Sequence, residues 1–308
     1  MKQYALFTGC TIKVALPHIE MVARKVFPLL DIDIKELAFT CCPNADFRSM
    51  DEYSWLVVAA RNLALAEKEG LEILSLCPGC TQTLKEANII LKNDVSLRAE
   101  INKRLGKIGL IFQGTTDVNH HLVILHRQIE ILLQRITTPL YGIKLAAHTG
   151  CHLLMPSWLM QFDSPERPTK LEELVKILGG TTIDYPEKIL CCGFGLFGSQ
   201  KGTASRIIKD KVESASLAGA EAFVVPCPSC FQQFDRNQLV AKRELKFEYQ
   251  LPVFYYLQLV GLAMGFNLDE VGYYHGRVRS PELEEKIKSL GGKKYYSIVN
   301  QKHLLVLA

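Results

Sequence analysis

Ten cysteines arranged as two copies of one pattern constrain this chain more than anything else in it. Cys10, Cys41, Cys42, Cys77 and Cys80 form the first set; Cys151, Cys191, Cys192, Cys227 and Cys230 form the second. Each set reads as a single Cys, an adjacent CC pair and a CxxC turn. From the CC pair onward the sets run in step, since Cys191 follows Cys41 by 150 positions and Cys227 follows Cys77 by the same 150. The neighbours repeat as well: FTGC at 7–10 answers HTGC at 148–151, and LCPGCTQTL from Leu76 answers PCPSCFQQF from Pro226. Unrelated cysteines would not reproduce spacing and context together. The chain is therefore an internal duplication, and two similar domains follow.

A length of 308 residues suits two domains, each able to bury its own core. With 48% hydrophobic and 22% charged residues the composition is globular, and a net charge of +4 gives no global reason to expect nucleic acid binding. The N-terminal MKQYALFTGC lacks the apolar run and cleavage site of an export signal, so a cytoplasmic location is expected. Cysteines in that setting read as ligands or redox groups before structural disulfides. The uncharged stretch 251–268 is interrupted by Pro252, Gln258, Gly261, Gly265 and Asn267; it reads as a buried core helix rather than a transmembrane segment.

Short apolar runs at 4–8, 71–76, 143–147 and 222–225 read as strands. Helical patterns follow at 53–68, 81–91, 203–217 and 231–242. Strand, cysteine loop and helix in turn make an α/β rhythm, with two pseudo-symmetric domains, each a small mainly parallel sheet with flanking helices. The expected bounds are 1–140 for the first domain with its connecting helices, 141–288 for the second and 289–308 for a tail. The stretch 94–139 reads as a helical connection and 163–168 as an irregular loop. Loops at the carboxyl ends of parallel strands converge on one crevice, so each half should gather its five thiols into one pocket.

Soft thiolates suit iron–sulfur clusters or zinc, and a disulfide relay is a third option. A closed zinc site takes four ligands and leaves one thiol over in each half; that symmetric surplus weighs against zinc. Pro and Gly in CCPN, CCGFG, CPGC and CPSC suit ligand loops, because Pro removes a competing donor and Gly permits close approach. His148 and His152 flank Cys151 and are candidates to bond cluster sulfur or to give a proton to a leaving thiolate, the plain alternative being loop histidines. His120 and His121 open an apolar helical run and either face an inter-domain cleft or simply start a helix. Gly193, Gly195 and Gly198 match neither dinucleotide nor P-loop spacing.

The doubled five-cysteine pattern resembles the CCG domain pair of the HdrB family, the B-type component of heterodisulfide reductase. Similarity extends to AARNLALAEKEGLEILSLCPGC at 59–80, DSPERPTKLEELV at 163–175, FDRNQ at 234–238 and VFYYLQLVGLAMG at 253–265, and covers residues 1 to about 288. The resemblance implies a noncubane [4Fe-4S] cluster on each full set of five cysteines. It also implies an oxidoreductase of methanogenesis, in which the mixed disulfide of coenzyme M and coenzyme B is cleaved between the clusters. Electrons would arrive from an HdrA-like flavin subunit through an HdrC-like ferredoxin subunit, with a hydrogenase or formate dehydrogenase as a further partner. A substrate bearing sulfonate and phosphate needs cations, for which Arg48, Lys201, Arg206 and Arg236 are candidates, each otherwise an ordinary surface charge. Two departures stand out: PNADF rather than Gly follows the first CC pair, and Tyr255 stands where a histidine is expected. Other readings keep the fold but change the role. They are a subunit of a sulfur-oxidising complex acting on another disulfide or thiol, a relative of lactate, glycolate and succinate oxidoreductase subunits, an electron carrier without substrate contact, and a zinc-binding interaction module.

Overall fold

The four β-strands of each half are short, and the inner ones are apolar runs, as strands covered on both faces must be. In the computed structural model, which describes residues 1–290, the first half holds β1 (Lys2–Phe7), β2 (Ile32–Lys35), β3 (Glu72–Ser75) and β4 (Val118–His120). The second holds β5 (Lys144–Ala147), β6 (Thr181–Ile183), β7 (Ala222–Val225) and β8 (Val253–Tyr255). Their orders are β2-β1-β3-β4 and β6-β5-β7-β8, and every pairing is parallel. The α/β expectation thus holds, with helices filling the crossovers that parallel pairing requires. The tail read from 289 onward lies, past Leu290, outside the described residues.

The inner strands β1, β3, β5 and β7 coincide with the four apolar runs legible in the sequence. The edge strands correct two of the other expectations. The stretch 94–139 is not purely helical, since β4 interrupts it between the helices Val95–Leu105 and His121–Arg127. Likewise the apolar run 251–268 opens with β8 before the helix Tyr256–Ala263, every residue of which is buried. Among the described residues no helix is long and apolar enough to cross a membrane. The helical pattern 231–242 is two helices, Pro228–Phe234 and Arg236–Leu245. They part at Asp235, whose carboxylate accepts from the backbone N–H groups of Arg277 at 2.6 Å and Val278 at 2.9 Å.

Capping explains several helix starts. Asp51 accepts from the Ser54 N–H at 2.9 Å ahead of Glu52–Lys68, and Asp94 from the Leu97 N–H at 2.8 Å ahead of Val95–Leu105. Each such cap contributes about 1 kcal/mol. Cys77 and Cys227 occupy the N-cap positions of the helices Pro78–Asn93 and Pro228–Phe234 without a side-chain cap bond, and Pro takes the first helical position, where its missing N–H costs nothing.

The two halves exchange helices across their junction. The helix His121–Arg127, which follows β4, packs on Lys170–Ile177 of the second half, and Tyr256–Ala263, which follows β8, packs on Pro17–Leu29 of the first. The second contact is close: a Cβ on Gly261 would meet Val271 Cγ1 at 2.8 Å and Val22 Cγ2 at 3.4 Å. One hydrophobic cluster therefore runs through both domains, from Ile19 and Val26 to Leu257 and Val260.

Candidate metal centres

All ten cysteines sit beyond the carboxyl ends of strands. Cys10 follows β1, the CC pair follows β2 and the CxxC follows β3; Cys151, Cys191–Cys192 and Cys227–Cys230 repeat this after β5, β6 and β7. In each sheet the chain leaves the first strand in one direction and returns on its other side, and the crevice at that reversal is where an open parallel sheet binds ligands.

Glycine makes the approach possible. Gly9 and Gly150 precede the first cysteine of each set with φ of 81° and 83°, a region that only Gly enters freely. A Cβ on Gly9 would lie 3.0 Å from Cys80 Sγ, and one on Gly150 would lie 3.6 Å from Cys230 Sγ.

The five sulfurs of each half form the same chain of contacts. Cys10 Sγ lies 4.0 Å from Cys41 Sγ, and the run continues through Cys42 and Cys80 to Cys77. In the second half it passes from Cys151 through Cys191 to Cys192, whose Sγ is 3.5 Å from that of Cys230, and on to Cys227. All ten are free thiols. Ionising one penalises the next: Cys42 is pulled down to about 4 by hydrogen bonds from Cys41 and Cys80. Cys80 is pushed well up by its bonds to Cys42 and Cys77 and by burial. Cys191 is pulled well down by Cys151 and Cys192, while Cys151 and Cys230 are pushed up by their thiol neighbours and by burial. Cys227 is lowered first by Cys230 and then by N–H groups of the helix turn it caps. Such a nest cannot carry five thiolates alone; a cationic core relieves the repulsion. The donor set fits a metal or iron–sulfur group, and the Nε2 atom of His148, buried without a protein partner, marks polar capacity that the side chains leave unused.

The departure after the first CC pair is accommodated locally. Pro43 gives its carbonyl to Trp55 Nε1 at 3.1 Å, and Asn44 caps the helix Ala45–Met50. At the matching place Gly193 takes a φ of 78° and donates its N–H to Cys191 Sγ at 3.4 Å. Asn62 pins the first loop, accepting from Thr40 N at 3.0 Å and donating to the Cys41 carbonyl at 3.1 Å.

His148 is buried, not a partly exposed loop histidine: its Nδ1 faces the Lys188 carbonyl at 3.3 Å, and burial lowers it to about 3. One of its ring nitrogens lies within 4.8 Å of the sulfurs of Cys192 and Cys230. His152 Nδ1 is 3.3 Å from Cys151 Sγ; it reaches solvent and is electrostatically coupled to Cys191 of its own half and Cys42 of the other. His120 and His121 are fully buried at the junction and held neutral by burial, His120 lowered to about 3. Tyr255 is buried beside them, its ring centroid 5.3 Å from that of His121, and it donates to the Leu76 carbonyl. Symmetrically, the His120 ring is set against the carbonyl of Pro226. Leu76 and Pro226 each immediately precede a CxxC.

The candidate cations are scattered. Arg48 bonds Glu52 at 2.7 Å and Glu86 at 2.6 Å and lies 4.7 Å over the Trp55 ring. Lys201 pairs with Glu244 at 2.5 Å. Arg206 and Arg236 are exposed, on the packed helices Lys201–Leu217 and Arg236–Leu245. Sequence reasoning missed Lys211, which is 1% exposed and donates to the Glu187 carbonyl. The available signal was a lysine within the stripe Ala204, Ile208, Val212 and Ala215 that its helix buries.

Two parallel sheets, each with five convergent thiols at its switch point, define a duplicated cysteine-rich protein built to hold metal or iron–sulfur groups. The Cysteine-rich domain family (CCG) matches residues 4–85 and 145–235. The B component of the ferredoxin/F(420)H(2)-dependent CoB-CoM heterodisulfide reductase of Methanosarcina acetivorans is 37% identical over 294 residues, 93% of this chain and 97% of that one. The 8-methylmenaquinol:fumarate reductase membrane anchor subunit of Wolinella succinogenes is 32% identical, over 92% of this chain and 99% of its own. A solved structure of a hypothetical protein from Helicobacter pylori shares the fold with a TM-score of 0.75 at 15% identity, over 91% of this chain and 53% of that one. The chain belongs to the HdrB family of heterodisulfide reductase and carries its pair of CCG domains.

Proposed function

We propose that this chain is the catalytic subunit of a heterodisulfide reductase, cleaving the coenzyme M–coenzyme B disulfide between two noncubane [4Fe-4S] clusters held by the two sets of five cysteines. The observation that carries this reading is reciprocal packing. The helix Cys10–Ala15 packs on Pro228–Phe234, the CxxC helix of the other half, and Cys151–Leu154 packs on Pro78–Asn93. Two redox centres so related can share one substrate. When bound, the clusters supply one electron each to an S–S bond, a two-electron reduction that with two protons yields two thiols.

The side chains do the rest. His152, 3.3 Å from Cys151 Sγ, is the side chain that this reading assigns to protonating a departing thiolate. His120, His121 and Tyr255 keep water from the junction and tie each CxxC loop to the opposite half. Arg206 and Arg236 are exposed and available to acidic groups of the substrate, whereas Arg48 and Lys201 are held by Glu52, Glu86 and Glu244. Partner subunits of ferredoxin and flavin type, with a hydrogenase or formate dehydrogenase behind them, would deliver the electrons in the cytoplasm.

The similarity to a subunit of a fumarate reductase favours a second reading, in which the clusters pass electrons and touch no disulfide. A subunit of a sulfur-oxidising complex is a variant with another disulfide or thiol. Oxidation of a reduced viologen by the iron-loaded chain in the presence of the heterodisulfide tests the first reading. Iron-loaded protein without turnover points to the carrier role; a colourless protein holding zinc rejects the cluster reading.

A further inference from the structure

The two halves differ at positions that the duplication makes equivalent. Phe7 and His148 both stand ahead of a TGC, and both are 1% exposed. Phe7 packs against Phe39 with ring centroids 5.0 Å apart. His148 instead sets a nitrogen within 4.8 Å of the Cys192 and Cys230 sulfurs, and its Nε2 has no protein partner. A second difference lies on the following long helix: with Glu52–Lys68 and Lys201–Leu217 aligned on Gly70 and Gly219, which end them, Lys211 stands in the place of Asn62. Asn62 is buried and neutral, bonded to Thr40 N at 3.0 Å and the Cys41 carbonyl at 3.1 Å. Lys211 is buried on the Glu187 carbonyl, 6.0 Å from the Tyr185 ring centroid, and couples to Cys191, Cys192 and Cys230. Lys13 lines the cavity at Cys10 and Cys41 but is exposed and screened by water.

We propose that the two cysteine nests hold unequal redox centres, the second being the easier to reduce, because His148 and Lys211 replace Phe7 and Asn62 beside it. The proposal rests on the reading that each nest holds an iron–sulfur cluster. Adding an electron adds negative charge, so a buried cation and a polar group near the sulfurs stabilise the reduced state more than the oxidised one. The first half offers a phenyl ring and a neutral carboxamide instead. An electron taken from an external one-electron donor thus rests on the second centre first, and the next goes to the first centre.

A potentiometric titration of the iron-loaded full chain, followed by electron paramagnetic resonance, tests this. Two midpoints are expected, with Cys42→Ser and Cys192→Ser assigning each signal to its half. Lys211→Met and His148→Phe should each move the higher midpoint toward the lower while the other stays put; Lys211→Arg should restore it. Phe7→His, which leaves the second half untouched, should raise the lower midpoint. Coincident native midpoints, assignment of the higher one to the first half, or variants that shift both equally or neither would overturn the proposal while leaving the cluster reading intact. A chain that binds no iron would overturn both.

Discussion

Tyr255, the last residue of β8, donates its phenolic hydrogen to the carbonyl of Leu76, the residue before Cys77. A side chain of the second half thereby holds a ligand loop of the first, at a position where the family resemblance predicts a histidine. Tyr255→Phe leaves that carbonyl buried and unbonded, a loss of about 1–3 kcal/mol. Thermal unfolding should show the lower stability. Iron bound by the first set should fall more than iron bound by the second.

Gly9 offers a sharper perturbation. An added methyl would stand 3.0 Å from Cys80 Sγ on a backbone with φ of 81°. Gly9→Ala should abolish the first centre and spare the second, so that iron per chain drops to about half. Equal loss from both sets would mean that the halves do not assemble independently.

Asn62 ties Thr40 to Cys41, and its counterpart in the second half is Lys211, which holds the Glu187 carbonyl instead. Asn62→Ala should loosen only the first CC loop, costing about 1–3 kcal/mol. Faster loss of iron to a chelator from the first set than from the second would be the readout.

Stability should also depend on pH through His18. Burial, and then His275 stacked 5.3 Å away, lower it from 6.5 to about 4. The folded state keeps this ring neutral, so between about pH 6.5 and pH 4 the unfolded chain binds more protons. Its contribution is complete above that window, falls as pH drops through it and levels off below, by about 3 kcal/mol at most. Denaturant midpoints measured across the window should decline less steeply in His18→Gln than in the native protein.

The sequence by itself determined the thiol chemistry, the duplication and the four inner strands. Cysteine spacing is written along the chain, and β1, β3, β5 and β7 are apolar runs bounded by their own cysteine loops. The edge strands were not legible. β2, β4 and β6 are three or four residues long with polar positions, and β8 is continuous with an apolar helix. Only the tertiary structure decided which half each helix packs against, that Lys211 is buried beside the second set of thiols, and that His120 and Tyr255 each face a ligand loop of the other half. Those relationships join residues more than a hundred positions apart, or depend on which face of a helix the neighbouring domain covers. Local spacing and propensity carry no record of either.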